Sequence, residues 1–170
     1  LLNKLKSQPD ARIVNVSSLA HRQGTIDFED INSEKSYNRI KRYAMSKFAN
    51  ILFTYELQRR LYKANSPAIS VACHPGGSKT ELDRHVPFPF SLLFLPLSLI
   101  MNTSAEGALP TLMASTAQGV NGGDYFGPKR LGEMAHSAQK VDTIPSSKDE
   151  ALAKKLWEVS SELTGLAYTF

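Results

Sequence analysis

The chain is poor in cysteine and has no charge of one sign gathered in a block, and each shortage removes a class of function. Its one cysteine, Cys73, sits in the apolar run "AISVACHPGG" without a partner, so neither an intrachain disulfide nor a Cys-rich metal site is available. That usage suits a reducing compartment, and the cytoplasm is the expected one, with peripheral contact to a membrane as the alternative. His21, His74, His85 and His136 are too scattered for an H-x-x-x-H or Cys/His spacing, which argues against a bound metal. The 20 Lys and Arg are spread among 16 Asp and Glu. The net charge of +4 and the pI near 9.2 therefore describe a solvated surface and not a nucleic-acid site. A signal peptide is not seen, because "LLNKLKSQPDAR" has no uninterrupted apolar centre and no small-residue cleavage site. It does look like the tail of an amphipathic helix, without an initiating Met, so the chain reads as a piece of something longer. No internal repeat or low-complexity linker interrupts it, and 170 residues at 42% apolar suit one core of ordinary size.

Strand and helix signals alternate along the chain. "ARIVNVSS" (11–18) is a short β-rich run preceded by the turn-like "SQPD". Residues 21–38 turn polar and read as a surface excursion. Tyr43 is expected to open a helix, since Phe48, Ile51, Leu52 and Tyr55 fall at i, i+3, i+4 and i+7 and the pattern continues to Leu57 and Leu61. Asn65 and Pro67 should end it. "AISVACHP" (68–75) is a second strand, apolar almost throughout as in a parallel strand covered on both faces. Strand, helix, strand makes a βαβ unit. Thr103-x-x-Glu106 is a capping box for a further helix, in which Pro110 predicts a kink or an early end. "GGDYFGP" (122–128) reads as a strand between glycine turns, and Ser146-x-x-Asp149 as the opening of a last helix that stops at Gly165.

One segment departs from that rhythm. "VPFPFSLLFLPLSLI" (86–100) is almost wholly apolar but carries Pro87, Pro89 and Pro96, so it is too short and too interrupted to span a bilayer. Three readings compete for it: buried packing, the apolar wall of a substrate pocket, and a surface that touches a membrane. The basic cluster Arg39, Lys41 and Arg42 is read either as a solvated face or as an attractor for an anionic group.

The spacing Tyr-x-x-x-Lys occurs three times, at Tyr37/Lys41, Tyr43/Lys47 and Tyr125/Lys129, in a chain with 6 tyrosines and 12 lysines. Spacing alone therefore carries no weight. Gly127 and Pro128 forbid a helix between Tyr125 and Lys129, and no apolar stripe fixes a helix at Tyr37. Tyr43 and Lys47 stand at the start of the patterned helix, where i and i+4 lie side by side, with small Ala44 and Ser46 leaving room for an approaching molecule. A tyrosine ionises near pH ~10, but an adjacent ammonium favours the phenolate, and Tyr43 could then act as general acid or base. A third group must hold a substrate oxygen, and Ser18, at the carboxyl end of the first strand, is where an open α/β sheet places functional residues. The same three residues also read as a helix-start aromatic, a solvated lysine and a turn serine. The spacing does not separate the two readings.

"RIVNVSS", "YAMSK" and "HPGGSKT", in that order, resemble the second half of the short-chain dehydrogenase/reductase family. The long excursion between Ser and Tyr, with "YFGP" and the closing "LWEVSSELTG", is similar to its retinol dehydrogenase and protochlorophyllide reductase-like branch. The resemblance covers almost the whole chain. It implies a doubly wound parallel α/β sheet of Rossmann type, present here as its C-terminal part. It also implies an oxidoreductase passing a hydride between NADP or NAD and the carbonyl or alcohol group of a small, apolar substrate. Carried over residue by residue, it makes Tyr43 the proton donor or acceptor. Ser18 holds the substrate oxygen, with Ser17 as the neighbour that could be confused with it. Lys47 lowers the Tyr43 pKa and bonds the nicotinamide ribose. Pro75, Gly76, Gly77 and Ser78 would line the nicotinamide, and Thr80 would reach its carboxamide or the phosphates. Ser78 stands where the family more often has a β-branched apolar residue, a change that a backbone hydrogen bond would survive.

The main departure is that no G-x-x-x-G-x-G or G-x-G-x-x-G precedes Ser18, and the family's fourth catalytic residue, an Asn, would also fall upstream of Leu1. The expectation is thus the C-terminal portion of one dinucleotide-binding domain over residues 1–170, its N-terminal cofactor half lying outside. The alternatives are a dehydrogenase-like binding protein without turnover and a truncated chain unable to bind cofactor alone. Substrate identity and oligomeric state are left open by the sequence.

Overall fold

The computed structural model describes residues 2–77 and 102–170. The calls on Ser78, Thr80 and residues 86–100 therefore lie outside the described residues. After a single helical turn, α1 (Leu2–Leu5), the run of β-branched residues forms β1 (Arg12–Val16). Two short 3₁₀ turns, Leu19–Gln23 and Phe28–Asp30, cross the polar excursion to α2 (Arg39–Lys63). β2 (Ile69–Cys73), α3 (Ser104–Thr116), β3 (Tyr125–Arg130), β4 (Ala135–Val141) and α4 (Glu150–Thr164) follow.

The sheet runs β1-β2-β3-β4, with β1 and β3 parallel to β2 and β4 antiparallel to β3. Because successive side chains in a strand face opposite ways, β2 serves two layers at once. Val71 and Cys73 pack with Val14, Phe126 and Ala114 of α3, while Ala72 packs with Tyr125 and Ile51 of α2. Helices thus cover both faces, as the continuous apolar run of β2 requires. α4 lies outside α2: Phe48 and Leu52 meet Ala153 and Leu156, and Leu57 and Leu61 meet Trp157. Each large aliphatic side chain buried there contributes roughly 1.5–3 kcal/mol. The β1–β2 register pairs Val16 with Cys73, so the residues just beyond both strands emerge side by side at one edge of the sheet.

Three expectations are corrected. α2 starts at Arg39 and not at Tyr43, because the Asn38 carboxamide oxygen accepts the Ile40 and Lys41 N–H groups and satisfies the first turn. Tyr43 and Lys47 thereby sit one turn further into a well-formed helix. The last helix is capped by Asp149, whose side chain accepts from Leu152 N, while Ser146 lies in a 3₁₀ turn, Pro145–Lys148. Pro110 does not end α3, which continues to Thr116. Gly107, Pro110 and Ala114 form its buried stripe, so the proline ring serves as a core side chain. The Thr103–Glu106 capping box is present, and Gly165 follows α4 in the left-handed region at φ 66°. β4 was not anticipated: "AHSAQKV" carries little apolar signal and is held by pairing with β3. No helix among the described residues is long and apolar enough to cross a membrane.

Candidate active site

The two serines that follow β1 are sorted by the alternation of an extended chain. Ser17 is buried, its N–H donates to the Cys73 carbonyl (2.7 Å) and its hydroxyl donates to the Lys47 carbonyl (2.7 Å). It joins strand to helix. Ser18 turns the other way, is half-buried, and caps the 3₁₀ turn by accepting from Ala20 N at 3.2 Å. Accepting there leaves its O–H proton free to donate to another oxygen.

Tyr43 and Lys47 project from the second and third turns of α2, with the Lys47 ammonium 5.6 Å from the Tyr43 ring centroid. The tyrosine is 42% exposed, and Lys47 makes no ion pair among the described residues. The start of the helix is held against the excursion by Arg42, which donates to the Asp30 carbonyl and carboxylate and to the Ser36 carbonyl. The Asp30 carboxylate also accepts the Lys35 and Ser36 N–H groups, and these, Lys35 first, hold its carboxyl below the usual range. Arg42 of the basic cluster is therefore structural.

Gly24 seats the serine turn on this helix. A Cβ there would lie 2.4 Å from Phe48 Cβ and 2.5 Å from the Ala44 carbonyl oxygen. Only glycine allows the turn to lie this close to α2 at Ala44 and Phe48. Gly24 lies within the polar excursion 21–38, and its role depends on a contact twenty residues away in sequence. Asn50 adds a further tie from α2, donating to the Val16 carbonyl at 3.0 Å.

Pro75, Gly76 and Gly77 leave β2 level with Ser17 and Ser18. Gly76 has φ +71°, and a Cβ there would stand 2.6 Å from both the Met134 carbonyl oxygen and Pro128 Cγ. Gly77 N donates to the Met134 carbonyl at 2.8 Å. Asn102, 1% exposed, donates from its side chain to the Pro75 and Met134 carbonyls, accepts the His136 N–H, and donates its own N–H to the Gly77 carbonyl. Asn102 escaped the sequence reading, since a lone Asn before a capping box carries no signal of burial.

Beneath the site lies a set of buried polar rings. His21 and His74 each stand 5.3 Å from the Tyr125 ring, centroid to centroid. The Ser18 carbonyl can only accept, so His21 Nδ1 carries the hydrogen in their 2.7 Å bond. Burial lowers the pKa of His21, and that of His74 to about 4, and it pushes the Tyr125 phenol up. All three are neutral at neutral pH and serve as fixed dipoles. Cys73 is likewise inert: its thiol lies 3.3 Å from the Thr111 hydroxyl and burial raises its pKa.

Ser18, Tyr43, Lys47, Pro75, Gly76 and Gly77 thus lie on two loops and one helix at the carboxyl edge of a twisted α/β sheet. That edge is where such sheets bind dinucleotides. The tyrosine and lysine lie one turn apart on the helix that follows the serine strand, as the order of the motifs predicts.

Comparison with known proteins agrees. The chain is 40% identical over 173 residues to human "Retinol dehydrogenase 14", covering 98% of this chain and 48% of that protein. It is 38% identical over 170 residues to human "Retinol dehydrogenase 12", covering 99% and 50%. In structure it is similar to an uncharacterized protein from Mycobacterium paratuberculosis, with a TM-score of 0.72 and 34% identity over 94% of this chain and 52% of the other. No family model matches. By its homologues and its fold the chain belongs to the short-chain dehydrogenase/reductase family, and it spans about half the length of the relatives it matches.

Proposed function

We propose that the complete protein is an NAD(P)-dependent oxidoreductase acting on the carbonyl or alcohol group of an apolar small molecule, and that these residues are the C-terminal portion of its single dinucleotide-binding domain. The observation that carries this reading is the level emergence of Ser18 and Pro75 from paired parallel strands, with Tyr43 and Lys47 on the helix that joins those strands. The residues suit a nicotinamide nucleoside. Among the described residues the Lys47 ammonium has no carboxylate partner and can serve a ribose hydroxyl, and the turn of Pro75, Gly76 and Gly77 is held by Asn102 and Met134. Ser78 and Thr80 continue that turn in sequence and are assigned to the carboxamide and phosphates.

A nicotinamide held by Lys47 and by Pro75, Gly76 and Gly77 would supply or take the hydride at the substrate carbon. In the reductive direction the Tyr43 hydroxyl passes its proton to the substrate oxygen and is left as phenolate, and in oxidation the Tyr43 phenolate takes the alcohol proton. Ser18 donates a hydrogen bond to that same oxygen, stabilising the negative charge that develops on it. Lys47 sets a positive charge against the Tyr43 ring. Ser17 holds strand and helix in register.

Tyr43→Phe in the complete protein tests the assignment. It should lower kcat by at least about 100-fold, the usual share of a positioned acid-base group, with cofactor affinity retained. A variant with undiminished kcat would refute the role of Tyr43. Absence of activity in the unsubstituted protein against a broad carbonyl panel would favour a binding role for the fold. The relatives' printed names and the apolar run 86–100 support an apolar substrate of the retinoid kind. Polar substitutions at Leu92, Leu93 and Phe94 should then raise KM more for long-chain than for short-chain substrates, and equal effects would count against a pocket role.

A further inference from the structure

Two loops carry the proposed chemistry, residues 18–24 after β1 and residues 75–77 after β2, and a third element ties them together. Arg22, on the serine turn, donates to Glu133 Oε1 at 2.7 Å. Glu133 Oε2 lies 3.1 Å from His74 Nε2, and His74 Nδ1 lies 3.2 Å from Gly76 N. The tautomer follows from the chemistry of the ends. A backbone N–H can only donate, so Nδ1 accepts from Gly76, Nε2 carries the hydrogen, and the carboxylate accepts it. Each link of the series Arg22, Glu133, His74, Gly76 thus sets a donor against an acceptor.

Three further features indicate that this series is built for its place. Glu133 sits at the β3–β4 hairpin, where Leu131, Gly132 and Glu133 are consecutively left-handed at φ 54°, 63° and 68°. Two of these are not glycine, and such strain persists only where the surroundings hold it. It carries the Glu133 carboxylate to His74. His74 is fully buried, and Gly127 makes room for it, since a Cβ on Gly127 would stand 2.1 Å from Nε2. A buried Nε2–H deprived of its carboxylate would lose its only partner in the described structure, which makes the pairing costly to break although Arg22 itself is exposed.

We infer that Arg22, Glu133 and His74 are positioning residues: they clasp the turn that presents Ser18 to the turn that lines the nicotinamide, so that substrate oxygen and hydride carrier are held in one geometry. This rests on the roles proposed above for Ser18 and for Pro75, Gly76 and Gly77. The clasp itself is a property of the fold and can be tested apart from turnover. A displacement of about 1 Å between the reacting groups lowers rates on the order of 100-fold, so a partial loosening should appear mainly in kcat.

The test uses the complete protein with Arg22→Ala, Arg22→Lys, Glu133→Gln and the Arg22→Ala/Glu133→Gln pair. Amide hydrogen exchange is read at Gly76 and Gly77, which Arg22 does not touch. Arg22→Ala and Glu133→Gln should each speed exchange there by roughly tenfold, and the pair by no more than the larger single effect. Arg22→Lys should restore most of the protection, and the melting temperature of the Arg22 variants should stay within a few degrees of the parent. In the kinetic arm kcat should fall about 10-fold or more with a smaller change in substrate KM. Unchanged exchange at Gly76 and Gly77 in Arg22→Ala, or single effects that multiply in the pair, would overturn the clasp. Loosened exchange with unaltered kcat in an active protein would overturn the positioning role. If the parent reduces no carbonyl in the panel, the reading of function fails while the exchange arm still decides the clasp.

Discussion

Gly24→Ala adds one methyl group at the point where the serine turn meets α2. The new Cβ would stand 2.4 Å from Phe48 Cβ and 2.5 Å from the Ala44 carbonyl oxygen, against ordinary contacts of 3.4–4 Å. Neither neighbour can give way by a rotamer change, because one is a helix carbonyl and the other a Cβ fixed to the helix backbone. The turn must therefore lift from the helix by about 1 Å. Overpacking of this kind costs about 1–3 kcal/mol, which a melt reads as a lowered midpoint. The functional effect should be larger, since Ser18 leads the same turn and a 1 Å misplacement costs on the order of 100-fold in rate. The assay is kcat with a carbonyl substrate, alongside a calorimetric melt of the complete protein. A variant that melts within 1 °C of the parent and keeps kcat within about twofold would refute the close approach and the reasoning built on it.

Ser17→Ala and Ser18→Ala should separate what the motif alone cannot. The first removes a buried hydroxyl that satisfies the Lys47 carbonyl and should destabilise by about 1–2 kcal/mol, read as a urea midpoint, while retaining most of kcat. The second should lose kcat with little change in stability, and the reverse pattern would exchange their roles. Acid should unfold the protein partly through His74. Its pKa falls from 6.5 in the unfolded chain to about 4 in the fold, so the unfolded state binds the extra proton between those values. This contribution is intact above about pH 6.5 and is lost as pH falls towards 4, by roughly 2 kcal/mol at pH 5, with His21 acting in the same direction. Urea midpoints of the parent and of His74→Gln at pH 7 and pH 5 measure it, and equal losses in both proteins would contradict it. Trp157→Ala should cost about 3–5 kcal/mol, because its ring stacks on Phe53 and carries Arg60 4.5 Å from its centroid. A loss under 1 kcal/mol in a urea melt would mean that the closing helix is not part of the core.

Much of the fold was legible where the deciding groups lie within a turn of each other. The period of Phe48, Ile51, Leu52 and Tyr55 marked α2, Thr103 and Glu106 marked the start of α3, and Gly165 marked the end of α4. The apolar run at β2 announced a strand covered on both faces. Where two local signals competed, the reading slipped. Asn38 out-capped Tyr43 as the helix start, and Asp149 took the cap assigned to Ser146, since a cap is settled by which side chain reaches a free N–H. β4 went unseen because its residues have almost no apolar alternation, and a ladder with β3 holds it in place.

The order of the Ser, Tyr-x-x-x-Lys and Pro-Gly motifs determined the family from the amino acids alone, since three short patterns in sequence are far more specific than any one. The tertiary structure decided which groups those motifs lean on. Gly24 matters only because α2 passes against it, Ser17 differs from Ser18 only because one of them faces the helix, and Asn102 is a clamp only because it is buried between two loops. Arg22 and Glu133 are 111 residues apart and His74 and Glu133 are 59 apart. No local propensity joins such residues; the folded sheet brings β1, β2 and the β3–β4 hairpin to one edge, and that proximity turns three ordinary polar residues into a connected set.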